Sequence, residues 1–262
     1  MNFESIELTR KGGLAILKFN RPDSYNALNE RMGLELVEAI IDVQNDPAVR
    51  CLLLTGNGAA FHAGGDVKSF LSAGEGVSGF IDRLVISFHA FISHLVRMAK
   101  PTVAAVNGTA AGAGFSIAMA CDLVLARQDA LFTAAYSRIG ASPDGAMTYF
   151  LVRQVGVRRA MELYLTNRVL TAQEAHDWGL VTRVLPVEGF LAEAMALAGN
   201  LAQGPTAAYG RAKDLFYHST NHELETQMEL EARGIVASSR TADFREGTRA
   251  FTEKRAAQYL GR

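Results

Sequence analysis

The spacing of hydrophobic and polar positions changes several times along the chain, and each change predicts an element. SIELTR and LAILKFN flank Lys11-Gly12-Gly13 and read as two strands of a hairpin. RPDSYNALNE is a turn followed by a helix start. Asn29 is the expected N-cap of the helix ERMGLELVEAIIDVQND, with Leu34, Leu36, Val37, Ile40 and Ile41 on its apolar side. RCLLLTG is a continuous apolar run ended by glycine, which suits a buried strand. FHAGGDVKSF is glycine-rich and leads into a helix. Ile81, Val85, Phe88, Ile92, Leu95 and Ala99 keep helical spacing over a long helix from Ser78 to Ala99.

Pro101 stops that helix, and PTVAAVNG reads as a strand. AAGAGFSIAMACD is a glycine turn into a helix, and LVLARQDALFTA resumes strand character. SPDGAMTYFLVRQVG and VRRAMELYLTN read as two helices. Thr171 opens a short helix with Glu174 three residues on as a capping box and Gly179 as its stop. LVTRVL is the last strand. From Val187 the pattern is helical to the end, with Gly204-Pro205 as the clearest break. The expected organisation is a spiral α/β core over 1–200 followed by a helical region over 201–262.

The 262 residues are 49% hydrophobic, enough for a substantial core. With 26 Lys and Arg against 27 Asp and Glu, no global field draws nucleic acid or an anionic membrane, so an anionic ligand must be held by local groups. Cys51 and Cys121 sit in apolar surroundings and read as buried free thiols of a reducing compartment. No ligand spacing for zinc occurs, so no metal is expected. The N-terminus lacks a signal-peptide pattern, and no stretch reads as membrane-spanning. A cytoplasmic protein is expected.

LLLTGNGAAFHAGGDV and VAAVNGTAAGAGFSIAM share one logic: an apolar strand, a turn of small residues, then a helix. Small residues let a ligand approach the backbone, and the helix start offers free N–H groups. Two such turns side by side suit a developing negative oxygen, whereas one alone reads first as tight strand–helix packing. Neither matches a phosphate loop or a dinucleotide fingerprint.

These segments, in order with RPDSYNALNE, LTAQEAHDWGLVTRVLP and REGTRAFTEKR, resemble the crotonase (enoyl-CoA hydratase/isomerase) superfamily over essentially the whole chain. The resemblance implies a crotonase-like spiral of ββα units, acyl-CoA substrates, no cofactor beyond the CoA moiety of the substrate, and a homotrimer or a dimer of trimers assembled through the C-terminal helical region. It implies Gly65 and Ala113 as oxyanion N–H donors. It places Ala27, Ala63, Asp66 and Val67 at the adenine, Arg21 and Lys68 at the phosphates, and Phe251 and Lys254 in a C-terminal segment covering CoA. Some relatives bind RNA, a reading that the neutral charge disfavours.

Members of this family that hydrate enoyl-CoA carry two glutamates where this chain has Ser116 and Tyr136, so an enoyl-CoA hydratase (lyase) is the third reading, after an isomerase and an enzyme with an aspartate nucleophile. Asp144, in GASPDGAMTY, matches the carboxylate that shuttles a proton in family isomerases; the closest motif match is to the epoxyphenylacetyl-CoA isomerases of the phenylacetate pathway. On local pattern alone, Ser142-Pro143-Asp144 also reads as the first positions of a helix. His89 has the setting of a packed histidine on the long helix, yet its position resembles the histidine of 4-chlorobenzoyl-CoA dehalogenases. Those enzymes use an aspartate at the Asp144 position as nucleophile, and their supporting tryptophan aligns with Tyr136. His62, His94, His176, His218 and His222 read as surface or packing residues. Phe88, Phe91, Phe115, Tyr136 and Tyr149 suit either an aromatic pocket or the core.

Overall fold

The computed structural model describes residues 3–262. The hairpin forms from β1 (Ile6–Lys11) and β2 (Leu14–Phe19), antiparallel, with Ile6 opposite Phe19. The Asn29 side chain accepts the Met32 N–H and starts α1 (Glu30–Asn45). Met32, Leu36, Ala39, Ile40 and Val43 form its buried face. Leu34 and Ile41, expected on that face, are exposed. Leu34 lies roughly 200° around the helix from Leu36, and helical period decides over composition.

From there the chain spirals. β3 (Cys51–Gly56) is followed by β4 (Ala60–His62), α2 (Val67–Ser72) and α3 (Val77–Arg97). β5 (Thr102–Val106), β6 (Thr109–Ala111) and α4 (Ala113–Met119) make the next turn. β7 (Leu123–Arg127), β8 (Leu131–Thr133) and α5 (Met147–Thr166) make the third. β9 (Val169–Thr171), α6 (Ala172–Asp177) and β10 (Arg183–Leu185) complete the core. Each of these three turns gives its first strand to one sheet, ordered β1-β2-β3-β5-β7-β10 with the hairpin at one edge, and its second strand to another, ordered β4-β6-β8-β9. β3, β5 and β7 run parallel, as do β4, β6 and β8. LVLARQDALFTA is therefore not one strand but two, in different sheets.

Alternation along the strands fills two cores. Leu52, Leu54, Ala104 and Val106 face the larger cluster with α1 and α3, while Cys51, Leu53, Val103 and Ala105 face α7 (Phe190–Ala202) through Ala194, Ala198 and Ala202. Coverage on both faces explains why these strands read as unbroken apolar runs. Both thiols are buried and free, and burial pushes the Cys51 thiol up to about 12. α3 corrects one expectation, since by length and composition it is apolar enough to cross a membrane. Its Leu84, Phe88, Phe91, Ile92 and Leu95 are instead buried in the protein core.

The Thr171–Glu174 capping box forms as expected. SPDG is not helical: Gly145 and Ala146 have φ of +62 and +61, and α5 starts at Met147, so Asp144 is not in a first helical turn. Gly156, at φ +76 and ψ 163, breaks α5 into the two predicted pieces. After Gly204-Pro205 come α8 (Thr206–His218), α9 (Leu224–Ser239) and α10 (Ala242–Thr252). Lys213 of α8 binds the Asp122 carboxylate at 2.9 Å and the Leu95 carbonyl at 3.2 Å, and so ties the helical region to the core. The helical pattern does not reach the C-terminus. The tail turns back, and Asp243 accepts the Leu260 and Gly261 N–H groups at 2.6 and 2.8 Å.

Candidate active site

Because β4 and β6 are parallel neighbours, the glycine turns that follow them lie side by side. Gly64, at φ +98, adopts a conformation that glycine reaches without strain, and a Cβ there would stand 3.1 Å from the Ala111 carbonyl. A Cβ on Gly114 would overlap the His62 carbonyl. The small residues thus serve close packing of the two turns on each other.

The hydrogen bonds leave amides over in both turns. In the first turn, the Ala63 N–H donates to the Tyr25 carbonyl at 3.0 Å and the Asp66 N–H to the Leu28 carbonyl at 2.9 Å. The Gly64 N–H donates to His62 Nδ1 at 3.1 Å. The Gly65 N–H between them donates to no group among the described residues. In the second turn the Gly112 N–H donates to Thr133, and Ser116 is the first residue of α4 to bond back, to Gly112. The Ala113 N–H, at the first helical position, is free among the described residues.

Asp144 is docked onto the first turn of α4. The buried Ser116 hydroxyl donates to the Asp144 carbonyl at 2.8 Å. The Tyr136 hydroxyl lies 3.2 Å from both that carbonyl and Ser116 Oγ, and donates to one of them. Burial pushes the Tyr136 phenol above its ordinary range, so it stays a donor. Gly145 is packed so tightly that a Cβ would overlap the Phe88 ring and come within 3.0 Å of Ser116 Cβ. The Asp144 carboxylate accepts the Gly145 N–H at 2.6 Å, and the same oxygen meets His89 Nε2 in a short contact. His89 is an exposed residue of α3 and borders a hollow of about 560 Å³ shared with Ile92, Tyr149 and Tyr217. The fold thus brings Ser116 of α4, His89 of α3, Tyr136 and Asp144 together.

The residues expected around CoA divide into two groups. Arg21 binds the Asp66 carboxylate at 2.9 Å and the Ala27 carbonyl at 2.5 Å. Burial pushes the Asp66 carboxyl up, but Arg21 and the Ser69 and Lys68 backbone N–H groups together outweigh it and hold the group below its ordinary value. Ala63 follows β4, and exposed Val67 and Lys68 begin α2 nearby. Phe251 is 88% exposed near the end of α10, beside Pro205, Ala208 and Tyr259, and Lys254 follows at φ +56. No hydrogen bond or ion pair joins Phe251 or Lys254 to Arg21, Asp66 or Lys68. Phe88, Phe91 and Phe115 are core residues. No cluster of three metal-ligating side chains occurs among the described residues.

A strand–glycine-turn–helix unit that occurs twice, with a free amide in each turn and an aspartate docked on the second, has counterparts in known proteins. The family model described as enoyl-CoA hydratase/isomerase matches residues 9–262. The chain belongs to the enoyl-CoA hydratase/isomerase family. It is 37% identical over 251 residues to 1,2-epoxyphenylacetyl-CoA isomerase of Escherichia coli, covering 95% of this chain and 96% of that enzyme. It is 35% identical over 250 residues to a 4-chlorobenzoyl coenzyme A dehalogenase of Arthrobacter, covering 95% and 91%. The crystal structure of an enoyl-CoA hydratase from Polaromonas superposes with a TM-score of 0.93 at 34% identity, covering 97% and 99%. The family's fold is the one expected from the motifs. The family spans isomerase, dehalogenase and hydratase names at similar identity.

The aligned tryptophan ties Tyr136 to Asp144, but no sequence signal ties Ser116 to the Asp144 carbonyl. His62 belongs with the packing histidines. It is wholly buried, and burial drives its imidazole down to about 3. An i to i+2 hydrogen bond from a side chain is a local motif familiar for Asn and Asp, but a histidine in that role has no sequence signal.

Proposed function

We propose that this enzyme is an acyl-CoA isomerase in which Asp144 carries a proton from one substrate carbon to another. The observation that carries the reading is the docking of Asp144 onto the turn of α4 whose Ala113 amide is free. With the thioester oxygen held by the Gly65 and Ala113 N–H groups, removal of a proton from the substrate carbon leaves charge on that oxygen. Asp144 accepts the proton and returns it at a different carbon, so no water is consumed. Ser116 and Tyr136 support the same reading, since neither supplies the second carboxylate that hydration requires. Arg21, Ala27, Ala63, Asp66, Val67 and Lys68 are assigned to CoA. Phe251 and Lys254 are assigned to CoA from a neighbouring protomer of a homotrimer. α9, which buries none of its residues in the single chain, supports such an assembly.

A second reading has its own observation, the contact of His89 Nε2 with Asp144. A carboxylate attacking a carbon that bears a leaving group forms an ester, and a histidine beside it can take a proton from the water that cleaves the ester. Isotopes separate the two. Turnover in oxygen-18 water should leave the peptide containing Asp144 unlabelled, while deuterated water should exchange substrate hydrogens. Oxygen-18 in the Asp144 carboxylate after several turnovers would refute the isomerase and establish the nucleophile.

A further inference from the structure

His62 is the last residue of β4, and no part of it reaches solvent. Its ring stands at 81° to Phe19 with centroids 4.9 Å apart. Nδ1 accepts the Gly64 N–H at 3.1 Å, which puts the proton of the neutral ring on Nε2. Nε2 has no partner. A buried N–H without an acceptor is destabilising, and an apolar side chain of similar size would avoid it. What the imidazole supplies that such a side chain cannot is the acceptor at Nδ1.

That acceptor holds one of the two peptide planes that meet at Gly64. The plane before Gly64 carries the N–H bound by His62. The plane after it carries the Gly64 carbonyl, which accepts the Leu28 N–H at 2.7 Å, and the free Gly65 N–H. Rotation about φ of Gly64 moves one plane relative to the other, and glycine resists that rotation less than any other residue. His62 also abuts the second turn: a Cβ on Gly114 would overlap its carbonyl and lie 2.8 Å from its Cβ.

We propose that His62 is a positioning residue of the oxyanion site, its Nδ1 fixing Gly64 so that the adjacent Gly65 N–H is kept free for the thioester oxygen. The proposal rests on thioester binding by Gly65 and Ala113. Asparagine at this position makes the same i to i+2 bond through its side-chain oxygen, with no Nε2–H to orphan. Leucine fills the space and accepts nothing.

The probe is butanoyl-CoA labelled with carbon-13 at the thioester carbonyl, read by isotope-edited infrared difference spectroscopy. Bound to the natural protein, its carbonyl stretch should fall relative to the free ligand. H62N should keep that fall. H62L should lose at least about half of it, with probe Kd changed less than about threefold, because the oxyanion contact polarises the carbonyl more than it contributes to CoA binding. A folded H62L with the full fall, or an H62N that behaves like H62L, would overturn the proposal. Absence of any fall in the natural protein would instead overturn the Gly65 and Ala113 assignment on which it rests. Should H62L not fold, nitrogen-15 NMR of histidine-labelled natural protein decides: His62 must carry its proton on Nε2, and a proton on Nδ1 refutes the proposal.

Discussion

Acid should begin to destabilise this protein near neutral pH, before its carboxylates titrate, and the cause is a single buried imidazole. Burial takes His62 from an ordinary value of 6.5 down to about 3. Below pH 6.5 the unfolded chain binds a proton at this position and the native state does not. Stability tracks the difference in bound protons, so the contribution is complete above 6.5 and is lost as pH falls from there towards 3. The slope approaches about 1.4 kcal/mol per pH unit, which gives roughly 2 kcal/mol between pH 6.5 and 4.5. The carboxyls of Glu35 and Asp66 are held below their ordinary values of 4.5 and 3.8, so their share is present above those values and is lost only at lower pH. Urea midpoints followed by circular dichroism from about pH 7 to pH 5 measure the slope. H62N should flatten most of it. Parallel pH profiles for the natural protein and H62N would refute the reasoning.

Ala113 sits at the first position of α4, where a helix does not use the backbone N–H and tolerates proline. A113P should therefore fold yet lose about 100- to 1,000-fold in kcat on the best CoA thioester found by screening, while A113G stays within a few-fold; a folded A113P with full activity would remove Ala113 from the oxyanion site. S116A and Y136F should each cost about 1 kcal/mol by urea unfolding, because each removes a hydroxyl from the group around the Asp144 carbonyl. The double variant should show a coupling of about 0.5 kcal/mol or more, and strict additivity would mean that the two hydroxyls act separately.

Local order in the chain settled a good deal of this protein. Asn29 and Thr171 start their helices because a side-chain oxygen three residues before an orphan N–H satisfies it with no help from elsewhere. The unbroken apolar runs at Cys51–Gly56 and Thr102–Val106 demand burial on both faces, and the fold supplies it. The two glycine turns, being strings of small residues in a strand–turn–helix order, led to the right family. Other features depend on partners far away in sequence. Leu34 and Leu36 are alike in chemistry, and only the packing of α1 on the core decides which is buried. SPDG has the composition of a helix start, but Ser116 and Tyr136 hold the Asp144 carbonyl from 28 and 8 residues away and keep the segment irregular. The meeting of His89 with Asp144 spans 55 residues and needs α3 and the segment before α5 to lie side by side. The role of His62 is the clearest division. Its residue type is ambiguous in a sequence, whereas a neutral ring with one nitrogen bound to Gly64 and the other unpartnered exists only once Phe19 and the second glycine turn have closed over it.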